Sequence, residues 1–300
     1  MPTVSVVITS YNQKQYLVEA LESVMAQSVR PLEILVADDC SSDGSPDLIQ
    51  TYAKRHPGWI KPVLQQQNVG ISENRNTALR QSVGDYVAVL DGDDRYLPDN
   101  LEKQLRALEA SSDADCVYSN LYFIDSHGNR LRVRDKTPQP QGDIRIALGM
   151  GRMGLLRSML APRQLAEQVG FLDKRYPKHD GYIFTLRLAR KARFVYVAEP
   201  LAEYRVHPAG DSKTFNDRQR LAYLDSVAEE VFRLVDGIPP QDVQRIRAIW
   251  FYRLLRLRFR IDAHANKITA SLRGFRAILH HPDYWPFLKD YLAAKRAGIL

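Results

Sequence analysis

Residues 84–94 read Gly-Asp-Tyr-Val-Ala-Val-Leu-Asp-Gly-Asp-Asp. Tyr86–Leu90 is a short, unbroken apolar run, the pattern of a strand covered on both faces in a parallel sheet. It runs without a spacer into the acidic turn Asp91-Gly92-Asp93-Asp94. Pro98 then opens a helical pattern that lasts to about Glu109. Upstream the same alternation repeats. Val4–Ile8 and Leu32–Ala37 read as strands, with a shorter one at Pro62–Leu64. Between them Leu17, Ala20, Leu21, Val24 and Met25 recur at helical spacing, and Ser45-Pro46 opens a second helix. Ser72 is expected to cap a third helix, carrying Arg75 and Leu79, and Cys116–Ile124 is again β-like. This βαβαβαβ order predicts an α/β fold built on a doubly wound, mostly parallel sheet.

Ligands of such sheets bind just beyond the carboxyl ends of the strands. Three polar strand ends are expected along that edge: Thr9-Ser10-Tyr11-Asn12, Asp38-Asp39 and Asp91-Gly92-Asp93-Asp94. Carboxylate oxygens are hard ligands that suit Mg²⁺ or Mn²⁺ together with phosphate oxygens and water. The plainer alternative is a solvated turn with Asp93 or Asp94 capping the next helix. An EF-hand is excluded, because the later ligand positions and the closing Glu are missing. Gly92 is expected to let the backbone turn sharply and a ligand approach. Asp38 or Asp39 can accept from a nucleobase N–H while Tyr11 stacks on the base, or can simply cap the Ser41-Ser42-Asp43-Gly44 loop.

The chain has 300 residues, 45% hydrophobic and 26% charged, as in an ordinary globular protein with a sizeable core. The N-terminus lacks a basic stretch followed by a long apolar one, so no signal peptide is expected. Cys40 and Cys116 make no disulfide framework or metal spacing and suit reduced thiols in the cytoplasm. The net charge is +7. Residues 241–300 carry 12 Lys/Arg against 4 Asp/Glu, a balance of +8, which leaves −1 for residues 1–240. The basic character therefore belongs to the last sixty residues.

Four segments occur in order: Val-Ser-Val-Val-Ile-Thr-Ser-Tyr-Asn (4–12), Val-Ala-Asp-Asp-Cys-Ser-Ser-Asp-Gly-Ser (36–45), Asn-Val-Gly-Ile-Ser-Glu-Asn-Arg-Asn-Thr-Ala-Leu (68–79) and the 84–94 stretch. Together they resemble family 2 glycosyltransferases with the GT-A fold, strongly over residues 1–125 and more weakly to about 210. The resemblance implies metal-dependent, inverting transfer from a nucleoside-diphosphate sugar to an acceptor hydroxyl, in surface polysaccharide or glycan synthesis. A UDP-sugar is the favoured donor, with dTDP or GDP as alternatives, and the acceptor is a glycan or lipid-linked glycan. It implies that Thr9 and Tyr11 line the base pocket, that Asp39 accepts from the base, and that Arg75 lies near the base or diphosphate. Asp91 reaches the ribose or metal waters, and Asp93 ligates the divalent cation. The catalytic base falls on Asp180 in Pro177-Lys178-His179-Asp180-Gly181-Tyr182, where His179 replaces the family's usual Glu; a helix N-cap is the other reading. Glu199–His207 resembles the family's closing strand, so Arg205 is assigned to phosphate and His207 to the metal or diphosphate, followed by a lid at Pro208–Lys213.

Two rivals follow from the same residues: a non-catalytic sugar-nucleotide-binding module, and a nucleotidyltransferase. The latter class opens with a Gly-rich phosphate loop, where this chain has Thr-Ser-Tyr-Asn. Gly149-Met150-Gly151-Arg152-Met153-Gly154 fits the G-x-G-x-x-G spacing but follows no first strand, so it is read as a loop near the acceptor. The boundary is placed at 215, with a catalytic domain over 1–215 and a basic helical C-terminal extension over 216–300, broken at Gly237–Pro240 and His281–Pro282. In residues 245–260 six arginines interleave with apolar residues nearly all around the helix. Simple packing on the catalytic domain is one reading, and peripheral contact with anionic lipid at the inner face of the membrane is the other. No nucleic-acid-binding module is present.

Overall fold

The structure, a computed structural model, describes residues 1–151, 158–207 and 217–264. The elements in chain order are β1 (Val4–Ser10), α1 (Lys14–Met25), β2 (Glu33–Asp38), α2 (Ser45–Arg55), β3 (Ile60–Leu64) and α3 (Ile71–Gln81). There follow β4 (Tyr86–Asp91), β5 (Arg95–Tyr96), α4 (Asn100–Glu109), β6 (Cys116–Ile124), β7 (Arg130–Val133) and α5 (Arg145–Gly149). The remainder is β8 (Met159–Pro162), α6 (Arg163–Gln168), α7 (Asp180–Ala189), β9 (Phe194–Arg205), α8 (Asp217–Leu234) and α9 (Pro240–His264). Two compact units result: Met1–Ile144 with Gly154–Gly210, and Arg145–Met153 with Asp211–Leu300.

The first unit is built on one curled sheet of order β3-β2-β1-β4-β8-β6-β9-β5, with β7 paired to β6. The four strands read from the amino-terminal pattern form its parallel half. Strands β1 and β2 are buried along their whole length, which explains why they show no polar alternation. Leu17, Ala20, Leu21 and Val24 of α1 share a core cluster with Val6, Ile8, Ile34, Val36 and Leu90. Each of the Leu, Ile and Val side chains contributes about 1.5–3 kcal/mol by leaving water. The pairing register then sets the edge: Thr9 stands opposite Asp91, and Ser10 opposite Asp38.

The later half differs from the sequence pattern. The closing strand expected over Glu199–His207 starts earlier: β9 begins at Phe194, is parallel to β6 and runs through Pro200. Proline has no N–H for the ladder, and the register shifts where Asn120 meets Pro200. Asn120 Nδ2 donates to Ala198 O at 3.2 Å across this irregularity. Strands β6 and β9 thus end at Ile124 and Arg205, paired with each other.

In the second unit, Val227, Val231 and Leu234 of α8 and Ile246, Ile249, Trp250 and Leu257 of α9 are buried. Arg245, Arg247, Phe251, Arg256 and Arg258 are exposed. The described part of α9 is therefore more clearly two-faced than the all-round arginine pattern suggested. Gly149 and Gly151 also belong to this unit, and Gly149 is the last residue of α5. A Cβ on Gly149 would lie 2.5 Å from the Ile246 side chain, and its carbonyl accepts from Trp250 Nε1 at 2.8 Å. Close helix packing, not nucleotide binding, accounts for that glycine; Arg152–Gly154 lie outside the described residues. The Pro208–Lys213 lid and the His281–Pro282 break lie outside them as well.

Candidate active site

The acidic turn is anchored from two sides. Gly92 N–H donates to Thr9 O at 2.7 Å, and a Cβ at position 92 would stand 2.8 Å from that same carbonyl. The glycine is demanded by the neighbouring β1 backbone, whereas its φ is not in the left-handed region. Asp94 is one of the two aspartates expected to cap the following helix. Its Oδ1 instead accepts the Arg205 backbone N–H at 2.8 Å, and Asp99 occupies the cap position of α4. The carboxylates of Asp91, Asp93 and Asp94 offer oxygens within 4.8 Å of one another.

Arg205, which the resemblance assigns to phosphate, turns its guanidinium inward. Its side chain is 0% exposed. Nε donates to Asp93 O at 2.8 Å, Nη1 to the carbonyls of Asp125 and Ser126 at 3.3 and 3.2 Å, and Nη2 to Glu19 at 2.8 Å. The guanidinium lies over the Tyr16 ring, 4.5 Å from its centroid. These bonds tie the acidic turn to α1 and to the β6–β7 connection. His207, two residues on, places Nε2 2.9 Å from Asp93 Oδ2, and Tyr16 packs against its ring with centroids 5.1 Å apart.

Arg75 lies neither at the sheet edge alone nor at an open surface. Its buried guanidinium pairs through Nη2 with Asp91, and through Nη1 with both oxygens of Asp180 at 3.2 and 3.0 Å. Asp180 Oδ2 also accepts from Ser72 Oγ at 2.9 Å, and Oδ1 from the Gly181 N–H at 2.7 Å. Asp180 is the first residue of α7, and His179 holds the N-cap position without a side-chain cap. The expected capping role of Ser72 is not what the structure has: Gly70 stands at the N-cap of α3. One turn further, Asn76 exchanges hydrogen bonds with Leu172, donating at 2.8 Å and accepting at 3.0 Å. Asp173 in the same loop accepts from Arg175 and Arg187, and these guanidiniums hold its carboxyl well below the usual range despite burial.

On the other flank, Asp38 accepts from the Ser41 N–H and hydroxyl at 2.8 and 2.6 Å. Asp39 accepts from the Val69 and Gly70 N–H groups at 2.7 and 3.0 Å, fastening the loop that enters α3. Each carboxylate oxygen keeps a second lone-pair direction, so this anchoring leaves room for a base N–H. Thr9 is buried with its hydroxyl 3.3 Å from Asp91, whereas Tyr11 is 50% exposed at the strand end. Of the sequence-selected residues, Thr9, Arg75, Asp91 and Asp180 form one connected network, and Asp93, His207 and Arg205 a second beside it. Tyr16, Glu19 and Asn76 join these networks with no site expectation from the sequence, and Ser72 joins them in place of its expected cap. Their signal was spacing: 16 and 19 share a face of α1, and 72, 75 and 76 a face of α3.

The donor set fits a hard divalent cation. Two ligands at about 2.1 Å in adjacent octahedral positions are about 3 Å apart, and His207 Nε2 and Asp93 Oδ2 are separated by 2.9 Å. Asp93 also belongs with Asp91 and Asp94 to a group of carboxylates whose oxygens lie within 4.8 Å of one another.

A curled, mostly parallel sheet whose carboxyl edge gathers an aspartate turn defines the GT-A class of glycosyltransferases. The chain belongs to glycosyl transferase family 2, whose model matches residues 5–167. It is similar to the amylovoran biosynthesis glycosyltransferase AmsB of Erwinia amylovora, 25% identical over 98% of this chain and 97% of that protein. An uncharacterised glycosyltransferase of Methanocaldococcus jannaschii is 29% identical over 68% of this chain and 71% of its own length. Among solved structures, S. aureus TarS 1–349 in complex with UDP-GlcNAc superposes with a TM-score of 0.66 at 18% identity, over 83% of this chain and 71% of that one. The chain spans 62% of the length of three mycobacterial relatives.

Proposed function

We propose that this glycosyltransferase moves a sugar from a UDP-sugar to a hydroxyl of a glycan or lipid-linked glycan, with a divalent metal and with inversion at the anomeric carbon. One observation carries the reading: a single guanidinium, Arg75, joins Asp91 of the acidic turn to Asp180. That pairing sets the residue assigned to the acceptor proton beside the turn assigned to the leaving diphosphate.

Asp93, with Asp91 and His207, is assigned to Mn²⁺ or Mg²⁺. Bound there, the cation neutralises charge that develops on the leaving diphosphate. Thr9, Tyr11 and Asp39 line the base pocket, with Asp39 accepting an imide proton and Tyr11 free to stack. Asp180 takes the proton of the acceptor hydroxyl as its oxygen forms the bond to the anomeric carbon. The diphosphate departs from the opposite face with the electron pair of the broken C–O bond, and the configuration inverts. Arg205 is left out of this chemistry and supports the turn. A role in surface polysaccharide synthesis is supported by the amylovoran relative, and a UDP-sugar donor by the UDP-GlcNAc complex of TarS.

Residues 1–215 are taken as the catalytic domain and 216–300 as an extension. No described helix is long and apolar enough to cross a membrane. The exposed Arg247, Phe251 and Arg258 of α9 suit contact with anionic lipid at the inner face of the membrane, where a lipid-linked acceptor resides.

Thermal unfolding with UDP, dTDP and GDP, with and without MnCl₂, tests the metal and base assignments. A nucleotide at a hundredfold excess over its Kd stabilises by about 2.7 kcal/mol. The shift is expected for UDP only with Mn²⁺, and lost in Asp93→Ala. Equal Mn²⁺-dependent stabilisation of Asp93→Ala removes the metal assignment.

A further inference from the structure

Ser72 sits in the first turn of α3, two positions after the Gly70 cap, and is 2% exposed. A serine there ordinarily returns its hydroxyl to nearby backbone. This one donates instead to Asp180 Oδ2 at 2.9 Å, across 108 residues of sequence.

Among the described residues three groups hold Asp180, and they are not equivalent. The Gly181 N–H is part of α7 and travels with the carboxylate. The Arg75 guanidinium is shared with Asp91, a residue assigned to the donor site. Any ligand that engages Asp91 or offers phosphate to Arg75 therefore loosens that hold. The Ser72 hydroxyl is neutral, donates to Asp180 Oδ2, and joins α3 directly to α7. Asn76, on the same face of α3, clamps Leu172 and fixes the loop that leads to α7. Helix α3 is thus a rigid mount whose polar face, at positions 72, 75 and 76, faces the segment that carries Asp180.

We infer that Ser72 is a positioning residue for the Asp180 carboxylate, holding its rotamer in line with the acceptor when Arg75 is drawn toward the donor. The inference rests on the reading of Asp180 as proton acceptor. Without the hydroxyl, Asp180 keeps only its own helix and a competing guanidinium, and the carboxylate swings toward Arg75. Misplacement of a reacting group by about 1 Å costs on the order of a hundredfold in rate.

The test measures UDP release in MnCl₂ from UDP-glucose, UDP-galactose, UDP-GlcNAc and UDP-GalNAc, continuing with whichever the wild type turns over fastest. Ser72→Ala is expected to lower kcat by about tenfold to a hundredfold, with donor KM and stabilisation by UDP unchanged. Ser72→Thr, which keeps the hydroxyl, is expected to recover most of the rate. A wild-type kcat in Ser72→Ala, a donor KM that rises in step with the loss, or no recovery in Ser72→Thr overturns the inference. Asp180→Asn separates the two levels. If it is inactive while Ser72→Ala is unimpaired, only the positioning role fails. If Asp180→Asn keeps the wild-type rate, or the wild type releases UDP from none of the four donors, the underlying reading fails with it.

Discussion

Replacing Arg205 by lysine keeps the positive charge but removes the planar fork. In the native arrangement that fork serves Asp93 O at 2.8 Å, Glu19 at 2.8 Å and two turn carbonyls at 3.2 and 3.3 Å. A single ammonium can satisfy one or two of these. Stranding the Asp93 carbonyl costs about 1–3 kcal/mol. The longer contacts to Asp125 and Ser126 add about 1 kcal/mol between them. Glu19 is 41% exposed, so its share is that of a surface pair, below about 1 kcal/mol. The sum is about 3 kcal/mol. For a unit of this size each kcal/mol moves Tm by about 2–4 °C, so Arg205→Lys should melt roughly 6–12 °C lower without ligand. A phosphate ligand would behave otherwise, because lysine binds phosphate as a point charge and an exposed cation contributes little to folding. The assay is thermal unfolding of both proteins, alone and with UDP plus MnCl₂. An unliganded Tm within about 2 °C of wild type, together with loss of the UDP-induced shift, would refute the bracing role and restore the phosphate contact.

Three further outcomes are expected. Gly92→Ala pushes a methyl to 2.8 Å from Thr9 O, an overpacking that costs about 1–3 kcal/mol; unfolding by urea should show it, and a wild-type midpoint would contradict the steric account. Glu33 is buried at the opposite end of the strands, where burial raises its pKa but hydrogen bonds from Lys61, Ser5 and the Val83 N–H outweigh this and lower it below the ordinary 4.5. A depressed carboxylate contributes stability that is present above the unfolded value and lost as pH falls through the folded one. The Tm gap between wild type and Glu33→Gln should therefore be widest above about pH 5 and shrink below about 4.5; a gap that grows on acidification would reverse the sign. In flotation with phosphatidylglycerol-containing vesicles, the full chain should float at low salt, and Arg247→Glu/Phe251→Ala/Arg258→Glu should not; equal flotation would remove α9 from any lipid contact.

The strands and helices of the amino-terminal half were legible because their signals are local. An unbroken apolar run such as Tyr86–Leu90 between turn formers, or apolar residues at 17, 20, 21 and 24, specifies an element without knowledge of its neighbours. The parallel order followed from the alternation, and with it the edge at which Thr9, Asp38 and Asp91 would meet. The continuity of β9 through Pro200 was not legible, because a bulge depends on the partner strand that tolerates it.

Residue types at the candidate site were equally local, and their partners were not. Sequence alone determined that aspartates close buried strands, and a family resemblance singled out Arg75, Asp180, Arg205 and His207. Only the tertiary structure decided that Arg205 faces inward to hold the Asp93 turn, that Ser72 reaches Asp180 and not its own helix end, and that Arg75 spans Asp91 and Asp180. The physical reason is the same in each case. A side chain's hydrogen bonds go to whichever groups packing brings within about 3 Å, and here those groups lie 108 residues away for Ser72 and Asp180 and 112 for Arg205 and Asp93.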